Sequence, residues 1–370
     1  MAFVTDERIS VQTSMTGVGR STGMRHCRVV ISAIVVSVMV ACGSGTVEEE
    51  STIPQASDPA IGAGAILRID PMFDELVPSD AVIEQLADGF GFTEGPHWIE
   101  YHGLYGGAVL FSDIPGNTIF RWSSDGTVTP FLTPVFEGDR EGVMAGSNGI
   151  TTDAEGRVHF TEHGNRQISR IDADGTRVVV IDNHEGNRLN SPNDLVFHSD
   201  GSLYFTDPPY GLAEQDDDPE KEIAVNGIYR LGPDGDLALL ANQTRPNGIG
   251  LSPDESRLYV ANSDNASKIW MVYDITIDGT LENGRVFADV TNDEAQGVPD
   301  GLKVDARGNV WATGPGGIWI FSPEGRHLGS IQPNERPANL TFGGPDGTTL
   351  FMTAQTGLYR VQVSVGWAGR

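Results

Sequence analysis

Six oxygen-bearing residues recur along the chain, each at the head of a short β-branched run: Glu94, Asn148, Asn193, Asn247, Asp300 and Asn339. All six are carboxylates or carboxamides, where a purely structural repeat would equally accept Ser, Thr, Gly or Ala. Gathered at one place they would form a set of hard oxygen donors with no thiol, the chemistry a calcium-type cation requires. Two carboxylates among them would roughly neutralise a divalent ion. Taken singly, each Asn or Asp is equally well read as a turn cap bonded to local backbone. That reading is weaker for Asp300, and for Glu94, which lies in Thr93-Glu94-Gly95-Pro96-His97-Trp98 beside aromatics, where a buried carboxylate needs a partner. A second polar set closes the following runs: Asp113, Glu162-His163, Asp207 and Asn262. Of these, Glu162 and Asp207 are expected to touch substrate, together with Asn148 and Asp194. His163 is the histidine best placed for proton transfer; the others downstream of the leader read as surface or packing residues. The Asp172-Ala173-Asp174-Gly175 stretch lacks the later ligands of a calcium loop and reads as a hairpin. No HExxH, GxSxG, P-loop or dinucleotide fingerprint occurs, so those chemistries have no support.

The elements that must position these residues form a repeat. Each copy has a short strand, a turn rich in Gly and Asp, and a second apolar strand ending on a polar residue. The second strands are expected at 109–113, 158–162, 203–207, 258–262, 310–314 and 350–354. A third alternating strand follows most copies, as in Thr118-Ile119-Phe120-Arg121-Trp122 and Gly227-Ile228-Tyr229-Arg230-Leu231. Several lead into Asp-Gly hairpins at Asp125-Gly126, Asp174-Gly175 and Asp234-Gly235. Six units about 40–55 residues apart predict an all-β fold, a six-bladed β-propeller with a central metal-binding channel. The stretch 81–86 is expected to close the ring against 358–363. A two-domain β-sandwich is the alternative, and it leaves the sixfold count unexplained.

The balance of 24 basic against 51 acidic residues gives a net charge of -27, a surface that repels phosphate backbones and excludes nucleic acid as a partner. Only two cysteines occur, Cys27 and Cys42, so neither a disulfide framework nor a zinc cluster is available. Both lie in the N-terminal leader. Met24-Arg25-His26-Cys27-Arg28 precedes an apolar run from Val29 to Ala41, too short to span a bilayer and suited to a signal peptide. Small residues before Cys42 resemble a bacterial lipoprotein signal, with Cys42 as the lipidated first residue; a plain secretory cut after Ala41 is the alternative. The resulting division is 1–41 signal peptide (Met24 an alternative start), 42–79 tether and lead-in, and 80–370 propeller. The protein is then exported, as a lipoprotein facing the periplasm or outside or as a soluble periplasmic or secreted form. Its membrane contact is limited to the anchor, and it is a monomer or dimer.

Phe92-Thr93-Glu94-Gly95-Pro96-His97-Trp98, Asn190-Ser191-Pro192-Asn193-Asp194-Leu195, Tyr204-Phe205-Thr206-Asp207-Pro208-Pro209-Tyr210-Gly211-Leu212, Arg245-Pro246-Asn247-Gly248 and Val298-Pro299-Asp300-Gly301 appear in this order. Together they resemble the senescence-marker-protein/gluconolactonase/luciferin-regenerating-enzyme family of six-bladed propellers, over residues 80–365. The resemblance runs closest to the bacterial gluconolactonase branch. It implies one divalent cation, calcium foremost with zinc or manganese as alternatives, held by Glu94, Asn193, Asn247 and Asp300. It also implies a hydrolase that opens a sugar lactone, with Asp300 taking a proton from the attacking water and Glu162-His163 or Asp194 assisting ring opening. Animal members carry an arginine where Ser191 stands, so substrate orientation is expected to differ. Two other outcomes are consistent with such a propeller: a metal-dependent phosphotriesterase or other esterase, and a non-catalytic surface-binding module.

Overall fold

The computed structural model describes residues 56–100, 107–138 and 143–368, with side chains from 61 onward. Cys42 and the leader lie outside the described residues. Within them, six antiparallel sheets each carry four consecutive strands or the equivalent. The innermost strands are Thr93–Ile99, Ser147–Thr152, Leu195–Phe197, Pro246–Leu251, Leu302–Val304 and Pro337–Gly343, heading blades 1 to 6 in chain order. Each touches the next, and the sixth touches the first, so the ring is closed.

The second strands are Ala108–Asp113, Val158–Glu162, Leu203–Asp207, Arg257–Asp264, Val310–Gly314 and Thr349–Ala354, within a residue or two of expectation. Most are buried along their whole length, because each lies between two neighbouring blades and both of its faces meet protein. The apolar side chains accordingly collect in six clusters, one at each blade–blade contact. Leu110, Ile119, Ile150 and Phe160 join blades 1 and 2, and Tyr259, Trp270, Leu302 and Val310 join blades 4 and 5. A single blade would leave both of its apolar faces wet, so the unit of stability is the ring. Outer strands such as Leu237–Asn242 are far more exposed.

Hydroxyls at the ends of the second strands latch successive blades. Ser112 Oγ donates to Asn148 O at 2.8 Å, Thr161 Oγ1 to Asn193 O at 2.8 Å, and Thr206 Oγ1 to Asn247 O at 2.8 Å. Thr313 Oγ1 donates to Ala338 O at 3.0 Å. In blade 4 the equivalent position is Ala261, and Ser263 takes over by donating to Pro299 O at 2.5 Å. Each bond contributes about 1 kcal/mol, and each fixes the backbone of a residue at or beside the channel mouth.

Closure uses N-terminal chain, as expected: Glu84–Ala87 pairs antiparallel with Gly357–Gln362, placing Arg360 opposite Glu84 in an ion pair of 2.6 Å. Two further strands fall inside the stretch read as tether and lead-in. Gly64–Arg68 adds a fifth strand to blade 5, and Ala56–Ile61 adds one to blade 6. Both cover sheet edges that would otherwise offer unpaired backbone to a neighbour. At the other terminus, Trp367 bridges to Asp305 and lies edge-on to the His97 ring at 6.0 Å. The tail thereby spans blades 5 and 1 at the opposite end of the fifth inner strand from Asp300. The Asp-Gly pairs are hairpin turns: Gly126, Gly175 and Gly235 have φ of 84°, 84° and 89°.

Candidate active site

The six repeated oxygen residues head the six inner strands or lie beside their heads, and they converge where the blades are narrowest. The glycine that follows several of them has a steric cause. A Cβ on Gly248 would lie 2.2 Å from Asp300 O, and one on Gly95 (φ +51°) would lie 1.9 Å from Asn148 O. Adjacent blades approach so closely at the axis that no side chain fits between one ring residue and the next.

Within this ring the side chains divide into two kinds. Asn339 is consumed: its Nδ2 donates to Glu94 Oε2 at 3.1 Å and its Oδ1 accepts from Leu340 N at 2.8 Å. It orients Glu94, whose Oε2 also accepts from Gly95 N at 2.8 Å. The others are left open. Asn148 Oδ1, Asn193 Oδ1, Asn247 Oδ1 and Asp300 Oδ1 are buried and have no hydrogen-bond donor. An unpartnered buried oxygen costs about 1–3 kcal/mol, and more when charged, so four of them in consecutive blades 2 to 5 constitute an unfilled demand for positive charge. Asn247 is held in this sense by Ser263: its Nδ2 donates to Ser263 Oγ at 2.9 Å, turning its oxygen inward.

Electrostatics agree with the geometry. Burial lifts the Glu94 carboxyl to about 7, against the bonds from Gly95 and Asn339 that lower it. Asp300 is raised well above the usual aspartate range, first by burial and then by the negative charge of Glu94, with Arg336 opposing. Two carboxylates that resist ionising side by side, amid neutral amide oxygens, match a hard divalent cation. Among the described residues no three His, Cys, Asp or Glu side chains cluster. The donor set therefore combines carboxamides with two carboxylates, an all-oxygen set suited to a hard divalent cation.

Two expectations need correction. Glu162 is fully buried and engaged by Arg177, Asn165 and Gln167 within its own blade. Asp207 is fully buried and accepts from Asn190 N at 2.7 Å and Ser191 N at 2.8 Å. Neither has an oxygen to offer a substrate. Both are clamps, as are Asp113, which accepts from Gly91 N and Phe92 N, and Asn262, which accepts from Arg245 N. The loop entering each inner strand runs past the end of the second strand, and its amides need acceptors. Asp194 is a channel residue: its Oδ1 accepts from Leu195 N, and its Oδ2, without a hydrogen-bond donor, lies 3.7 Å from Lys303 Nζ.

His163 stands beside the mouth with Nε2 3.4 Å from Asn148 Nδ2. Burial lowers it to about 4, so at neutral pH the ring is uncharged and weakly basic. This suits orienting Asn148 better than carrying a proton. The sign for stability follows: a histidine whose pKa falls from 6.5 to about 4 on folding favours the folded state above 6.5 and withdraws that support as pH drops toward 4. His163→Gln should therefore show a shallower loss of melting temperature between pH 6.5 and 4 than the parent. Parallel curves would remove His163 from the acid response.

Two residues of the site escaped the sequence reading. Lys303, buried on the fifth inner strand, reaches Asp194 of blade 3, and its charge acts on Glu94 and His97 of blade 1. Only the lumen allows such contacts, so Lys303 is a fixed cation inside the channel. One of only three lysines in the chain, between Leu302 and Val304, was the available signal. Tyr210, on the segment after the second strand of blade 3, brings its hydroxyl within hydrogen-bonding reach of Asn247 and Ser263. Burial first, and the charge of Asp300 second, raise its pKa.

Residues 92–356 match the family model described as the SMP-30/Gluconolactonase/LRE-like region. The chain belongs to this family. It is 38% identical over 358 residues to a gluconolactonase of Zymomonas mobilis, covering 92% of this chain and 98% of the relative. Among solved structures, a Xanthomonas campestris gluconolactonase superposes with a TM-score of 0.73 at 32% identity, covering 84% of this chain and all of that one. A calcium-binding protein, regucalcin, from Agrobacterium tumefaciens shares the fold, with a TM-score of 0.59 at 19% identity, covering 76% of this chain and 92% of that one. Family membership and the six-bladed architecture thus agree with what the motifs implied.

Proposed function

We propose that the protein is a hydrolase that opens a sugar lactone and depends on a divalent cation, calcium, at the channel mouth. The observation that carries this reading is the row of orphaned oxygens on Asn148, Asn193, Asn247 and Asp300, in a chain closely related to gluconolactonases. Glu94, Asn193, Asn247 and Asp300 would hold the cation. When bound, it would supply Lewis acidity toward a carbonyl oxygen and stabilise developing negative charge there.

The chain's own residues do the rest. Asn339 and Ser263 hold Glu94 and Asn247 in orientation, so little reorganisation is needed on binding. Asp300, ionised when the cation is held, would accept a proton from the attacking water as the water oxygen bonds to the carbonyl carbon. The bond from that carbon to the ring oxygen then breaks, the ring oxygen takes the proton back from Asp300, and the product is a hydroxy acid. Arg336 and the Lys303–Asp194 pair temper the acidic mouth.

A pH-stat assay over aldonolactones and unsubstituted lactones tests the reading. Exhaustive chelation, checked by elemental analysis, should cut turnover below about a hundredth of the starting rate, and added calcium should restore it. Full turnover in verified metal-free protein would overturn the metal dependence. Inactivity on every lactone with every added divalent ion would overturn the activity itself and leave the binding module standing.

A further inference from the structure

Ser191 lies two residues before the ring residue Asn193 and is fully buried. Its Oγ donates to Pro208 O at 2.6 Å and accepts from Gly211 N at 2.8 Å. The Pro208-Pro209-Tyr210-Gly211 turn is thereby pinned at both ends, and Leu212 N closes it onto Pro209 O at 3.0 Å. Gly211 is pressed against Ser191 and His163: a Cβ there would lie 2.7 Å from Ser191 Cβ and 2.8 Å from His163 Cβ. The turn has one place to sit, and it delivers Tyr210 to the mouth.

Tyr210 is half-buried, in contrast to the sealed residues beneath it. Its hydroxyl reaches Asn247 and Ser263. The single Ser263 proton is committed to Pro299 O, and one Asn247 amide proton goes to Ser263. Ser263 can therefore only accept from Tyr210, and the half-exposed Tyr210 oxygen keeps a lone pair to accept a hydrogen bond from a molecule lying over the oxygen ring.

We propose that Tyr210 is a specificity-determining residue that bonds a ring hydroxyl of a polyhydroxylated lactone and so orients its carbonyl over Asp300, with Ser191 as the positioning residue that holds it there. The proposal rests on the lactonase reading and assigns to Tyr210 the discrimination between lactones bearing free hydroxyls and bare ones. A site built to bond a hydroxyl discriminates against analogues lacking it, because the protein group is then left unpaired.

The test compares glucono-1,5-lactone with δ-valerolactone, which has the same ring size and no hydroxyls. Tyr210→Phe should lower the preference in kcat/KM for the hydroxylated lactone about tenfold, mainly through KM. Ser191→Ala should move the same ratio in the same direction. An unchanged ratio, including an equal loss on both lactones, would overturn the proposal. Gluconate binding by calorimetry in calcium buffer keeps the two readings apart. If the parent opens neither lactone yet binds gluconate, about tenfold weaker binding by Tyr210→Phe upholds Tyr210 while the activity reading falls. Equal binding by both proteins, or none by the parent, overturns Tyr210.

Discussion

Asp300→Asn will cost on the order of 10³ or more in lactone kcat/KM while the propeller stays folded. The substitution keeps the volume and the oxygen but removes one of the two ring carboxylates and the only proton acceptor aimed into the ring from blade 5. Stability should not suffer. Asp300 is pushed upward by burial and by the charge of Glu94, so its ionised form is an electrostatic load on the metal-free fold. In chelated protein the melting temperature of Asp300→Asn should equal or exceed that of the parent, the pattern expected where a site is kept at the expense of stability. Circular dichroism and thermal melts, run beside the pH-stat assay, decide the matter. Turnover within tenfold of the parent would end the role assigned to Asp300, and a lowered melting temperature in metal-free protein would show that the carboxylate supports the fold.

Lys303→Met should produce the largest stability loss at the channel, about 3–5 kcal/mol, because it strands the buried Asp194 carboxylate without its cation. The pair itself need not be favourable: two charges taken from water regain roughly what they lose, and it is breaking the pair that is costly. Adding Asp194→Asn to Lys303→Met should therefore recover most of the loss. The asparagine oxygen can still accept from Leu195 N, as Asp194 Oδ1 does at 2.9 Å. Urea unfolding followed by tryptophan fluorescence measures the cycle. A Lys303→Met loss below about 1 kcal/mol, in the range of exposed ion pairs, would show that the ammonium is not the counter-charge of the lumen. A double variant no better than the single would show the same for Asp194.

Much of the architecture is written locally. Alternating β-branched strands, Asp-Gly hairpins and a polar residue before each inner strand depend on residues a few positions apart, so their spacing alone yields six blades, and second strands correct to a residue or two. Even the glycines beside the ring can be picked out in the chain, although their reason, a neighbouring blade's carbonyl 2.2 Å from a would-be Cβ on Gly248, is visible only once the ring is closed. Edge-covering strands such as Gly64–Arg68 could not be found in the same way, since they belong to a blade more than 200 positions away and carry no copy of the repeat.

Roles within the ring were decided by folding. Asn247 and Asn339 are the same residue type at equivalent points of the repeat, yet Asn339 spends its amide on Glu94 and its oxygen on Leu340, while Asn247 turns an unpaired oxygen inward. Glu162 and Asp207 have the chemistry of substrate ligands and are exhausted by Arg177 and by the amides of Asn190 and Ser191. A side chain's function here follows from which of its atoms remain unsatisfied after every neighbour has been counted. Some of those neighbours sit nearby in the chain, as Arg177 does for Glu162, but others, such as Glu94 for Asn339, come from another blade hundreds of positions distant, where no local pattern in the chain records them.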